Sequence, residues 1–362
     1  MQLLALLVVG VFLAIAFRDV SFSAVATLLA AAGPRLALIP LPFCLAQLAD
    51  TRACQLLLAR LDPTPPFPRM LQAQIAGEAS TLALPAGFLV GESLRPWLLS
   101  MGGRAPLESC IAAVGGRKCL LIMGEGAWIA LALTLAFGPA RSLSAHLFGG
   151  PALIFLSVGL SAFLVAVGAS ALIFLRGGRF AGSIFKRLMR IVPARFRARV
   201  ERAEARFVHT DAQLARVFRR PRRQLIAPAL LYIAVWVLEG VEVWLILHVL
   251  DVPIPLTTAF YIEAMVATCR SVLPLTPAGL GIQDAGYVAC FAALGFPAAL
   301  GVGAAFCLAK RGRELLWCVL GGVCWLTARR PVLGIEGNPN SVPLRSVHGA
   351  PPPSSLALDG DP

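Results

Sequence analysis

Four polar residues stand where a hydrophobic sequence breaks: Glu92 and Arg95 at one place, Gln283 and Asp284 at another. Glu92 and Arg95 are three apart, so a helix would set them on one face. There they can pair with each other as a structural bridge at a membrane interface, or act outward. Acting outward, the guanidinium suits a phosphate and the carboxylate an amine or hydroxyl, which together would grip a lipid headgroup. Gln283 and Asp284 either cap the helix that follows them or touch a ligand. With Gly91, Gly279, Gly281 and Arg270 beside them, these residues make the candidate binding set. Glu78, Glu239, Glu242 and Glu263 lie inside apolar stretches and are candidates for a proton relay. A carboxylate or guanidinium at the bilayer centre costs at least ~2.5–3.5 kcal/mol, so it faces partners or water.

The elements around these residues explain why they draw the eye. The stretch RSVLPLTPAGLGIQDAGY, residues 270–287, carries Pro274 and Pro277 and the glycines 279, 281 and 286. Proline removes a backbone donor and glycine is a poor helix former, so no unbroken membrane helix is expected there. Broken backbone at membrane depth survives only against protein or a water-filled cavity. A second stretch, Leu84-Pro85-Ala86-Gly87 followed by Gly91-Glu92, breaks in the same way. Gly/Pro-interrupted segments at matching positions in two halves point to a transporter site at the repeat interface.

The chain has 362 residues, 58% of them hydrophobic, with a mean hydropathy of +0.78. Soluble globular proteins are about 45–50% apolar. The long apolar runs therefore define an all-α polytopic membrane protein of about seven to nine spans, two of its segments Pro/Gly-broken and re-entrant. Residues 1–330 form the membrane domain, beginning with an uncleaved first span at 1–17, which lacks the positive n-region of a signal peptide. The next span is expected at 34–48, with Asp50, Arg52 and Gln55 where its helix leaves the core. Others follow at about 107–137, 147–175, 225–250, 257–273 and 287–308. Lys118 and Glu125 are seven apart and could pair, or Arg117 and Lys118 could snorkel to the interface. Whether residues 310–314, KRGRE, form a loop or part of a helix is not fixed by the pattern.

The net charge of +13 is concentrated in one place. Residues 176–223 hold fifteen Lys/Arg against three Asp/Glu. Charge flanking spans points to anionic lipid headgroups rather than nucleic acid, and the spacing of its apolar residues suits an amphipathic helix on the cytoplasmic leaflet. Residues 331–362, rich in Pro, Ser and Gly, are expected to be a disordered cytoplasmic tail. The nine cysteines form no CxxC and no cluster with histidine, so neither a metal site nor any other cofactor is expected.

At the broken stretches the chain resembles the flippase-like membrane family related to the transmembrane region of lysylphosphatidylglycerol synthases. Gly91-Glu92-x-x-Arg95 matches that family's first motif. Pro277-Ala278-Gly279-Leu280-Gly281 with Asp284 is similar to its second, with Ala278 in place of a glycine and Asp284 in place of the usual glutamate. Gly281-Ile282-Gln283-Asp284-Ala285-Gly286-Tyr287 and Lys310-Arg311-Gly312-Arg313-Glu314 look closer to the hopanoid-biosynthesis-associated branch. The resemblance implies a multi-spanning protein of the bacterial inner membrane that moves or binds a lipid. The synthases add a soluble aminoacyl-transfer domain, and their enzyme activity is not expected here. Three functions fit the residues: lipid translocation, group transfer onto a lipid, or a scaffold for lipid-biosynthesis proteins. No Walker motif supports direct ATP drive.

Overall fold

Helices follow the apolar runs, and the breaks between them fall at proline and glycine. The computed structural model describes residues 22–59, 64–84, 87–101, 105–176, 215, 223–272 and 281–328. The expected first span at 1–17, nearly all of the basic segment 176–223, and the tail 331–362 lie outside the described residues. Helix α1 (Phe22–Ala32) continues through a 3-10 turn (Gly33–Leu38) into α2 (Pro40–Leu58). There follow α3 (Phe67–Ala83), α4 (Gly87–Ser100), α5 (Leu107–Leu135), α6 (Phe137–Phe148) and α7 (Ala152–Arg176). The second half holds α8 (Arg223–Val249), α9 (Leu256–Val272), α10 (Ile282–Ala293) and α11 (Ala299–Ala328). The described residues contain no strand.

Among the described residues, four stretches are long and apolar enough to cross a membrane: Val25–Leu58, Leu107–Leu135, Ala152–Arg176 and Arg223–Val249. Helix α11 has the length, about 45 Å at 1.5 Å per residue, but carries Lys310, Arg311, Arg313 and Glu314. Its outer face is bare hydrocarbon, with Leu315, Val319 and Leu326 exposed, as are Phe155, Phe163 and Ile173 on α7. In water such stripes would be a liability; facing acyl chains they cost nothing.

The helices on either side of each Pro/Gly break run antiparallel. Gly77 and Thr81 of α3 face Arg95 and Gly91 of α4, which is an antiparallel register. On the other side Glu263 of α9 meets Tyr287, and Val266 meets Gly286 of α10, again antiparallel. The return arms are short, about 21 Å for α4 and about 18 Å for α10, against a hydrocarbon core of about 30 Å. Each pair is therefore a hairpin that enters and returns, as a re-entrant segment must.

The two halves repeat one order: a long helix, the hairpin, a second long helix. In the first half these are α2, α3–α4 and α5; in the second, α8, α9–α10 and α11. Their packing is reciprocal. Helix α2 lies on its counterpart α8, while α3 packs on α11 and α9 packs on α5. Equivalent surfaces meeting in exchange is what a two-fold arrangement of like units requires. Two apolar cores form, each drawing residues from both halves. One gathers Leu57, Met70, Leu98, Cys110 and Ala113; the other gathers Trp128, Ile246, Tyr261, Phe291 and Phe306.

Two sequence expectations need correction, and one open alternative is decided. Helix α2 does not leave the core near residue 48 but runs buried to Leu58, carrying Asp50 with it. The apolar stretch at 287–308 is two helices, because Gly295 adopts a positive φ of 73° ahead of Pro297 and ends α10. Residues 310–314 are not a loop, since α11 is continuous through them.

Candidate functional site

Each hairpin carries its polar residues to a buried cluster of charges. In the first half, Gly91 lets α4 approach the Gly77 carbonyl of α3, where a Cβ would collide. Gly77 in turn leaves room for the Arg95 side chain, which lies along it. Arg95, only 3% exposed, donates from one Nη to Glu78 Oε2 at 2.7 Å. Its other Nη lies 3.1 Å from Glu92 Oε1 but off the hydrogen-bonding direction, and its Nε has no protein partner. The pairing of Glu92 with Arg95 thus exists, within a larger assembly.

Its centre is Arg117 on α5, equally buried. It donates from Nε to Asp50 Oδ1 at 2.8 Å, from one Nη to Asp50 Oδ2 at 2.5 Å, and from the other to Glu92 Oε1 at 3.1 Å. This is a two-pronged guanidinium–carboxylate bond between helices 67 positions apart. Gln74 adds a bond to Asp50 Oδ2 at 2.8 Å and one to Gln47 at 3.0 Å. Lys118 remains 45% exposed, with its ammonium 3.6 Å from Glu92. A joint snorkel of Arg117 and Lys118 is therefore overturned: only Lys118 points outward, because Asp50 and Glu92 hold Arg117 inside. A cavity of about 10 Å³ lies between Arg95, Arg117, Gln74 and Thr51, room for about one water.

The second cluster is built around Lys310 of α11. Its ammonium donates to Glu242 Oε2 at 3.1 Å and lies 3.8 Å from both Glu239 Oε2 and Glu263 Oε2. Glu242 also takes Arg313, whose Nε is 2.7 Å from Oε1 and whose guanidinium lies over the Phe43 ring of α2 at 3.9 Å. Tyr287 Oη donates to Glu263 Oε2, while Glu263 Oε1 is buried without a partner. All four candidate relay carboxylates thus lie in the two clusters, Glu78 in the first and the other three around one ammonium.

Asp284 has two roles at once. Its Oδ2 accepts the Gly281 N–H at 3.0 Å, capping α10 where Gly281 adopts a positive φ of 82°. Both its oxygens also accept from Arg311, at 2.8 and 3.0 Å. Arg311 reaches on to Glu314. Gln283 is buried beside it. Arg270 lies over the Trp236 indole at 5.9 Å. Gly279 lies outside the described residues.

The sequence reading missed Asp50 as a site residue, and with it Arg117, Lys310, Arg313 and Tyr287. The available signal was an isolated ionisable residue inside an apolar helix, which by cost alone must have a partner. In sum the arrangement provides two buried polar sites, one in each half, within an all-α membrane protein. It offers guanidinium and ammonium groups to anions and carboxylates to amines, hydroxyls and protons.

This architecture defines a polytopic helical membrane protein with paired re-entrant hairpins. The family model described as the lysylphosphatidylglycerol synthase TM region matches residues 2–321. The chain belongs to that family, whose membrane region is tied to lipid synthesis and translocation. No curated protein and no solved structure matches it.

Proposed function

We propose that the protein moves a lipid between the leaflets of the bacterial inner membrane and is not an enzyme. The observation that carries this reading is Arg95: a buried arginine on the return arm of a hairpin, lining a small cavity with Arg117, Gln74 and Thr51, with its Nε unpartnered. A polar headgroup in hydrocarbon loses its water, at several kcal/mol for each unpaired group. The Glu92–Arg95–Arg117 cluster offers replacements, with the guanidiniums facing a phosphate and the carboxylates an amine or hydroxyl, while the acyl chains stay in lipid. Gln283 and Asp284 form the matching contact in the other half. The lipid class is a hopanoid or a phospholipid. On this reading residues 176–223 lie on the anionic cytoplasmic leaflet, the tail is cytoplasmic, and lipid-biosynthesis proteins are the fitting partners.

The test is a lipid inventory of a strain lacking the protein, with each leaflet labelled separately. The expected result is one lipid unchanged in total amount but shifted between leaflets, restored by the wild-type chain and not by an inserted Arg95→Gln variant. Loss of a modified lipid with accumulation of its precursor would overturn the reading in favour of an enzyme.

A further inference from the structure

The charges of the second half do not balance. In the first cluster Asp50, Glu78 and Glu92 meet Arg95, Arg117 and Lys118, three against three. In the second, α8 contributes Glu239 and Glu242, α9 Glu263, α10 Asp284, and α11 Glu314. Against these five stand Lys310, Arg311 and Arg313 of α11 and Arg270 of α9. Arg311 is committed to Asp284 and Glu314, and Arg313 to Glu242. Arg270 lies over the Trp236 indole, and its charge is felt by Glu263 and Glu239 as well.

What remains is Lys310, with one hydrogen bond to Glu242 and two more carboxylates at 3.8 Å. Glu263 is 0% exposed, and its Oε1 has no donor. Glu239 is partly exposed and opens the pair to the outside of the cluster. Five acids against four cations in a buried site cannot all stay ionised, and among the described residues Glu239 and Glu263 are the acids of this cluster that accept no hydrogen bond from a cation.

We propose that Glu239 and Glu263 hold one exchangeable proton between them, with Lys310 as the fixed positive charge and Tyr287 as the donor that orients Glu263. Glu239, the partly exposed member of the pair, is where the proton enters. This deepens the translocation reading by naming the coupling ion, but the proton site itself exists with or without a lipid cargo. Titrations of such a pair belong to both carboxyls together.

The test uses the purified full-length protein in lipid nanodiscs, with infrared difference spectra recorded across a pH step. The expected result is a carboxylic-acid carbonyl band that appears as the pH falls. It is lost in Glu263→Gln, lost or halved in Glu239→Gln, shifted in frequency in Tyr287→Phe, and kept in Glu92→Gln. Variants are compared only where they elute as single species with wild-type helical content, so that misfolding is not read as loss of the band. Absence of the band in the wild-type protein, or its persistence in both Glu263→Gln and Glu239→Gln, would overturn the proposal. No lipid movement is measured, so a failed translocation assay leaves this result standing, and the reverse holds as well.

Discussion

The two halves put the same parts in the same order and use them differently. In each, carboxylates from the long helix and from both hairpin arms meet cations of the following helix, although in the second half Asp284 binds Arg311 rather than Lys310. The first half closes this set with Arg117, whose planar fork takes Asp50 with two bonds and Glu92 with a third. The second gives the corresponding place to Lys310, a compact charge that makes one hydrogen bond and leaves two carboxylates at 3.8 Å. Arginine and lysine are not interchangeable at such sites. The fork saturates a cluster and makes it rigid. Lys310 leaves two of its three acids without a hydrogen bond from a cation, even with Arg313 on the third. On the proposed reading, one scaffold carries a rigid guanidinium site and a site whose charge can change.

The contrast can be broken most severely at Arg117. Arg117→Met strands Asp50 and a share of Glu92, and should cost about 3–5 kcal/mol, read as loss of single-species protein in fluorescence-detected size exclusion. Adding Asp50→Leu should recover most of it, because a buried pair replaced by apolar groups is near neutral. Lys310→Met should fall at the lower end, about 3 kcal/mol, since Arg313 still holds Glu242. Its thermal stability should recover on acidification, because protonating Glu239 and Glu263 removes the stranded charge. Arg117→Met should recover less, with Lys118 and Arg95 still holding Glu92 charged.

Smaller changes sharpen the difference. Tyr287→Phe removes one hydrogen bond to a carboxyl and should lower thermal stability by about 1.5 kcal/mol. Asp284→Ala removes the α10 cap, a loss of about 1 kcal/mol, read in the same assay; Arg311 keeps Glu314. The smallest effect belongs to Asp251, in the turn between α8 and α9, which Arg35 grips from 2.8 and 2.9 Å in the open. That hydrogen bond and the guanidinium charge hold its carboxyl below the usual carboxylate range. The bridge therefore contributes above the ordinary carboxylate range and fades as the pH falls through the lowered value. Asp251→Asn should lower the melting temperature slightly at neutral pH and converge with the wild type as the pH falls through the carboxylate range.

The class of fold was legible because apolar runs and Pro-Ala-Gly breaks are local signals. So were Glu92, Arg95 and Asp284, which sit directly after those breaks. Asp50 and Arg117 were not, because their bond joins residues 67 positions apart and no local spacing encodes it. A lone aspartate near the end of an apolar run looks the same whether the helix is leaving the membrane or entering a polar core. For Lys310 to Glu314 a charged loop and a charged helix face share one composition, and only packing against α8 and α10 decides between them. The turn at Leu294 carried a signal, Gly295-Phe296-Pro297, that the surrounding apolar residues masked.

The central claim is that this chain carries lipid across the bilayer. The most direct measurement reconstitutes the purified protein into vesicles made from its own strain's lipid extract. Leaflet-selective chemical labelling then follows each lipid class with time. The account predicts exchange of one class well above the rate in protein-free vesicles, lost in folded Arg95→Gln. If no lipid class exchanges faster with the wild-type protein than without it, the claim is contradicted.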